Sequence, residues 1–232
     1  MANPSPIIRA VVFDLDNTLM DFLEMKRQGC KIAARELVSS GVDLENKDAE
    51  KLLMQTHLDV GDEGEDVFEE FLKKLNKKVD KELVKKSFKT YNRAKKEFMK
   101  PYPNVIEVLT FLKGKGIKLA VITDAEEPQA MERILGIGVE KFFDAVITQS
   151  HTKSQKPDEK PFREALKKLG TKPEETLMVG DSLERDVWGA KRVGMLAAYA
   201  KYGEDWEWKW PHKEVTPDYV LHDICELMKI IG

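Results

Sequence analysis

Val11-Val12-Phe13-Asp14-Leu15-Asp16-Asn17-Thr18-Leu19 decides how this chain is read. An apolar run, Ile7 to Phe13 with one Arg, ends abruptly in two carboxylates one residue apart. Acids at the C-terminal end of a buried strand are costly unless they are paired or hold a metal. Side chains of an extended chain repeat every two residues, so Asp14 and Asp16 are expected to point the same way. Two like charges on one side need a cation, or one of them must hold a proton. Both outcomes suit phosphoryl chemistry. Alone, the pair fits a turn or a calcium loop equally well.

Three later pieces, in a fixed order, narrow the choice. Leu119-Ala120-Val121-Ile122 runs into Thr123-Asp124. Lys156 follows in Gln155-Lys156-Pro157-Asp158, just before a helical pattern. Leu177-Met178-Val179-Gly180 then runs into Asp181, with Asp186 after it. Singly, each has a bland reading: Thr123-Asp124 a turn after a strand, Lys156 a solvated cation, Asp181-Ser182 an N-cap, Asp186 a surface acid. As a set they are specific. The set resembles the haloacid dehalogenase-like (HAD) hydrolase superfamily, in its phosphatase branch, and the resemblance runs from Ile7 to Leu227 apart from the segment between Phe22 and Lys100.

Strands are expected at Ile7–Phe13, Ile117–Thr123, Ala145–Thr148, Thr176–Val179, Leu196–Tyr199 and Tyr219–Leu221. Helical patterns separate them. Val105, Val108, Leu109 and Leu112 give i, i+3, i+4, i+7, closed by Gly114 and Gly116. Phe162, Ala165, Leu166 and Leu169 repeat that spacing, from Pro161 to a stop at Gly170. Strand alternating with helix predicts an α/β, Rossmann-like, doubly wound parallel sheet. Between Phe22 and Lys100 the alternation breaks and only helices are legible. Cys30, Ala33, Ala34 and Leu37 mark one face, Phe68, Phe71, Leu72 and Leu75 a second, and Val84, Phe88 and Tyr91 a third. Roughly 75 helical residues inserted after the first strand predict a second domain. The expected division is an α/β core over 1–20 and 101–232 and an all-α domain over 21–100, which the resemblance makes a helical cap of the first insertion type. The crossings fall at Leu19–Phe22 and Met99–Pro103, the second stiffened by Pro101 and Pro103.

The resemblance implies a role for each matched position. Asp14 attacks phosphorus and becomes an aspartyl-phosphate. Asp16 gives a proton to the leaving oxygen and later takes one from water, so its pKa should lie above the free value of about 3.9. Thr123 and the Asp124 backbone donate to phosphoryl oxygens, and Asn17 joins the substrate-binding set. Lys156 neutralises charge on the phosphoryl group and the nucleophile. Asp181 ligates magnesium with Asp14 and the Asp16 carbonyl. Asp186 lies behind them, orienting Lys156 or a metal-bound water. Magnesium prefers hard oxygens and keeps several waters, so two or three carboxylates suffice. Two departures stand out: Asp124, where many relatives have Asn, and Gln155, where Gly is frequent.

The bulk properties limit the alternatives. At 232 residues with net charge -3, the chain has no basic footprint for nucleic acid or an anionic membrane. Charged residues make up 34%, above the usual share of about 25%, and the excess of Lys and Glu leans towards a thermophile-like surface. Two distant cysteines, Cys30 and Cys225, show no metal or disulfide spacing and read as inert helix-face residues. With no signal-peptide pattern at Met1–Pro6 and no run of about 20 apolar residues, a cytoplasmic monomer or homodimer is expected, acting on a small phosphorylated metabolite. A haloacid dehalogenase would need no leaving-group acid, so Asp16 argues for phosphate. A phosphomutase stays open. A receiver-type phospho-accepting switch needs no inserted domain, and no G-x-x-x-x-G-K-[ST] supports a P-loop protein. Two stretches have no assigned partner. Gly61–Asp66, with His57 and Asp59 before it, reads as a solvated loop or as a specificity loop. Trp206, Trp208 and Trp210 read as an edge cover, a dimer contact or a stacking platform.

Overall fold

The short apolar runs become one parallel sheet. The structure is a computed structural model and describes residues 7–61, 64–203 and 215–232. The strands are β1 (Ala10–Phe13), β2 (Lys118–Ile122), β3 (Ala145–Ile147), β4 (Thr176–Gly180), β5 (Leu196–Ala200) and β6 (Tyr219–Leu221). They lie in the order β3-β2-β1-β4-β5-β6, every neighbour parallel. All six expected strands are present. The first begins three residues later than its apolar run, because Ile7 is exposed and Arg9 turns outward to an ion pair with Glu175 at 3.2 Å.

Among the described residues, ten α-helices accompany the sheet: α1 (Phe22–Ser39), α2 (Asn46–Val60), α3 (Asp66–Lys74), α4 (Lys81–Phe98), α5 (Val105–Gly114), α6 (Glu127–Gly136), α7 (Gln149–Thr152), α8 (Glu159–Leu169), α9 (Gly189–Arg192) and α10 (Glu226–Ile231). A π-helical turn, Leu183–Trp188, leads into α9. Period-two alternation covers both sheet faces. Ala10, Val12, Ala120, Ile122, Met178 and Ala197 pack with Phe162, Ala165, Leu166 and Leu169 of α8 and Ala190 of α9. The intervening Val11, Phe13, Leu119, Val121, Leu177 and Val179 are buried too, as the doubly wound arrangement demands. Helix α8 starts two residues before Pro161. The Asp158 side chain caps it by accepting from the Lys160 N–H at 2.9 Å, and Gly170, at φ 62°, closes it in the left-handed conformation.

The chain divides into two compact units, Met1–Asp21 with Lys100–Gly232, and Phe22–Met99. In the first, Met20 bridges Pro101, Tyr102 N donates to Leu19 O at 3.0 Å, and Tyr202 Oη donates to Thr18 O at 2.9 Å. The Tyr102 and Tyr202 rings meet edge to face at 5.4 Å. The second unit is α1–α4. Cys30, Ala33, Ala34 and Leu37 of α1 form its core with Leu53, Phe68, Phe71, Leu72, Val84 and Tyr91.

Here one expectation is corrected. His57 is not part of a loop: it lies in α2, is 1% exposed, stacks on Tyr91 at 4.8 Å and meets the Phe68 ring edge at 6.2 Å. Two of the four buried α2 positions, Thr56 and His57, are polar, which hides the helix's inward stripe from an apolar pattern. Asp59 is exposed and pairs with Lys74 at 2.5 Å. Gly61 ends α2 at φ 71°, and Asp66 begins α3. Asp62 and Glu63 lie outside the described residues, as do Trp206, Trp208 and Trp210. Cys30 and Cys225 are not joined in a disulfide, and the Cys30 Sγ faces Met54 Sδ at 3.9 Å. Among the described residues, no helix is long and apolar enough to cross a membrane.

Candidate active site

The register of three strands assembles the site. Phe13 of β1 is level with Val121 of β2 and Val179 of β4, and Asp14 N extends the ladder to Val179 O at 2.8 Å. One step further, Asp14 stands between Ile122 and Gly180, and Thr123 and Asp181 come one residue beyond on either side. Open parallel sheets bind ligands beyond the carboxyl ends of their strands, and these residues occupy that edge.

Lys156, on the loop before α8, reaches into the same place. Its ammonium is buried and donates to Asp14 Oδ1 and, at 2.7 Å, to Asp186 Oδ1. The peptide bond between Lys156 and Pro157 is cis. Burial works against the lysine's charge, but Asp14 and Asp186 outweigh it and hold the ammonium well above its ordinary pKa. Asp186 comes from the π-helical turn, is fully buried, and accepts from Ser182 N through Oδ2 at 3.0 Å. It fits because Gly180 has no side chain: a Cβ there would stand 2.2 Å from Asp186 Cγ.

Three carboxylates converge. Asp14, Asp181 and Asp186 each offer an oxygen, all within 4.8 Å of one another. Burial pushes Asp14 well up despite Lys156, with Asp186 and Asp181 adding to it, and pushes Asp181 to about 7 with help from Asp186. Asp181 Oδ1 is buried without a hydrogen-bond partner, whereas both Asp186 oxygens are taken by Lys156 and Ser182. An unsatisfied buried carboxylate oxygen beside a second carboxylate suits a small hard cation, so the donor set fits magnesium at Asp14 and Asp181, with Asp186 behind them. The short turn Lys201–Gly203 backs this corner. A Cβ on Gly203 would lie 1.7 Å from Asn17 O and 3.1 Å from Asp181 Cβ, so only glycine lets the turn approach.

The remaining expected residues fall around this centre. Thr123 is buried and its Oγ1 accepts from Ala125 N at 3.1 Å; a hydroxyl that accepts from its own turn still has its O–H to donate. Asp124 Oδ1 accepts from Lys156 N at 2.8 Å, and Oδ2 faces Arg185 at 3.6 Å. The unusual acid thus fixes the Lys156 loop and carries its own counter-charge. Asn17 takes a left-handed conformation, φ 57°. The extended-chain argument stops at Phe13, where β1 ends. Beyond it Asp14 meets Lys156, and Asp16 meets Arg133 of α6 at 2.5 Å. Thr18, Arg133 and Arg185 were not expected. Thr18 Oγ1 lies 3.5 Å from Asp14 Oδ2, four residues away, and was the one a closer reading of the first motif could have found.

Comparison with known proteins identifies relatives of this chain. The family model described as haloacid dehalogenase-like hydrolase matches residues 11–200. The chain is 30% identical over 225 residues to the glyceraldehyde 3-phosphate phosphatase of Methanocaldococcus jannaschii, covering 97% of each. It is 33% identical over 163 residues to pyrophosphatase PpaX of Halalkalibacterium halodurans, covering 67% of this chain and 73% of that one. The crystal structure of a HAD phosphatase from Thermococcus onnurineus superposes with a TM-score of 0.67 at 28% identity, covering 97% of this chain and 98% of that one.

Proposed function

This chain belongs to the haloacid dehalogenase-like hydrolase family and is a phosphatase of it, and we propose that it hydrolyses a small phosphorylated metabolite through an aspartyl-phosphate on Asp14, with magnesium as cofactor. The observation that carries this reading is the buried Lys156 ammonium shared between Asp14 and Asp186, beside the unsatisfied Asp181 oxygen.

Each residue's part follows from its surroundings. Lys156 counters the burial that raises the Asp14 pKa and offsets charge on the phosphoryl group. Asp186 and Asp124 hold the Lys156 side chain and backbone in place. A carboxylate oxygen of Asp14 forms a bond to phosphorus while the ester bond breaks, and Asp16 protonates the departing oxygen. Thr123 donates its O–H to a phosphoryl oxygen. Water then attacks the aspartyl-phosphate, Asp16 takes its proton, and Asp14 is released as phosphate leaves. The Asp14 and Asp181 carboxylates with the Asp16 backbone carbonyl would hold magnesium, which when bound would supply the positive charge that lets an anionic nucleophile meet an anionic substrate. The α1–α4 unit acts as the cap that selects the substrate.

A screen of phosphate esters with magnesium, including glyceraldehyde 3-phosphate and pyrophosphate, tests the reading by phosphate release. Asp14→Asn should abolish release while leaving the circular dichroism and melting temperature near wild type. Comparable hydrolysis by that variant would rule out the covalent route.

A further inference from the structure

Arg133 is a buried cation that the reaction as described does not use. It lies on the inward face of α6 beside Ala130 and Ile134, with its side chain 7% exposed. Guanidinium groups are almost never buried unless paired. Its Nη1 meets Asp16 Oδ2 at 2.5 Å, across 117 positions of sequence. The backbone at Asp16 is fixed as well, by its bridge to Met20 and by the left-handed Asn17 that follows. What the backbone leaves undecided is the rotation of the Asp16 carboxylate, and the guanidinium settles it by holding one oxygen.

We propose that Arg133 is a positioning residue that fixes which oxygen of Asp16 exchanges protons with the leaving group and with the attacking water. This rests on the phosphatase reading above. With Oδ2 held by Arg133, the mobile proton sits on Oδ1. In the first step the phosphorus–oxygen bond to the leaving group breaks, its electron pair goes to the leaving oxygen, and that oxygen takes the proton from Oδ1 as the new bond from Asp14 to phosphorus forms. In the second step Oδ1 takes a proton from water as the water oxygen bonds phosphorus and the Asp14–phosphorus bond breaks. A carboxylate free to rotate would spend most of its time misdirected, and small misplacements of a catalytic group cost large factors in rate.

Leaving-group dependence separates positioning from mere structural support. Proton donation matters for a poor leaving group and little for 4-nitrophenolate, and such help is typically worth about 10²–10⁴-fold. Wild type, Arg133→Met, Arg133→Lys, Asp16→Asn and the double variant Arg133→Met/Asp16→Asn would be compared by kcat/KM on glyceraldehyde 3-phosphate and on 4-nitrophenyl phosphate. Arg133→Met should lose at least about tenfold more on the alkyl ester than on the aryl ester, Arg133→Lys should recover part of that difference, and the double variant should match Asp16→Asn. Equal losses on the two esters, or a further alkyl-specific loss in the Asp16→Asn background, would overturn the assignment. Should Arg133→Met fail to fold, Arg133→Lys decides by the same ester comparison. Hydrolysis that persists in Asp14→Asn would instead bring down the covalent route through Asp14, and Arg133's role with it.

Discussion

Gly180 occupies the level of Asp14 on the neighbouring strand, and the space its side chain would fill holds the Asp186 carboxyl. A single methyl there would meet Asp186 Cγ at 2.2 Å and Oδ2 at 2.3 Å. Asp186 cannot yield without releasing Lys156, since both its oxygens are engaged. Gly180→Ala should therefore destabilise by about 1–3 kcal/mol, as overpacking does, and lower kcat by about tenfold or more. Kinetics with a folded, melting-checked variant would test this, and wild-type turnover would show that Asp186 does not hold Lys156 in place. At this scale the sequence was legible where chemistry is concentrated in a motif. Asp14, Thr123, Lys156 and Asp181 each end an apolar run or precede a helix, and the structure brings all four to one edge. Arg133 and Arg185 were not legible, because a charge whose partner lies 117 or 61 positions away leaves no local pattern. Asp124 illustrates the same limit: the sequence shows an added negative charge, and only the structure shows Arg185 facing it.

The two edge strands are the shortest in the sheet, three residues each, and both are tied down by the same device. Asp144, just before β3, donates its N–H to Leu119 O at 2.7 Å and accepts from Leu119 N through Oδ2 at 2.8 Å, with Lys113 on its other oxygen at 2.9 Å. Asp218, just before β6, repeats this with Ala197 at 2.8 Å for both bonds and Lys191 at 2.6 Å. In each case an aspartate side chain stands in for a missing rung of the ladder. Asp144→Ala leaves the buried Leu119 N–H unsatisfied and should cost about 1–3 kcal/mol by chemical denaturation. Burial pushes the Asp144 carboxyl up, but the Leu119 N–H and Lys113 outweigh it and hold it below its ordinary value of 3.8. A depressed folded pKa means that this stability is present above 3.8 and lost as pH falls through the folded value. The stability gap between wild type and Asp144→Ala should thus be wide at pH 7 and narrow at strongly acid pH, and a gap that widened on acidification would contradict the clamp. Elements with apolar periodicity, β1–β6, α5 and α8, were readable from sequence. Helix α2 was not, because its inward stripe uses Thr56 and His57.

Among the described residues, the buried carboxylates, Asp14 and Asp186, stand where the cation would bind, and selectivity is assigned to the other unit. In the metal-free protein Asp181 titrates at about 7, above its ordinary 3.8, so the stability that depends on its protonated form is complete below 3.8 and lost as pH rises through about 7. Magnesium offsets that loss, so its stabilising shift in melting temperature against EDTA should be larger at pH 8 than at pH 5. Equal shifts at the two values would detach the metal from Asp181. The division of labour between units gives the last expectation. Every residue assigned to bond making lies in the unit Met1–Asp21 with Lys100–Gly232, and none lies in Phe22–Met99. Two relatives, both phosphatases by name, carry the names of different substrates, glyceraldehyde 3-phosphate and pyrophosphate. On the proposed reading, specificity lies with the unit that does no chemistry. Within α1–α4, the buried residues, His57 and Tyr91 among them, hold the unit together, so variation is best tolerated at its connections. Replacing residues 59–66, from the last turn of α2 to the first residue of α3, should change the ranking of glyceraldehyde 3-phosphate against pyrophosphate by more than it changes turnover of 4-nitrophenyl phosphate, whose small aryl group asks little of a selecting surface. An unchanged ranking with an intact fold would move specificity to the α/β unit, where the loops around Asn17 and Asp124 would be the next to replace.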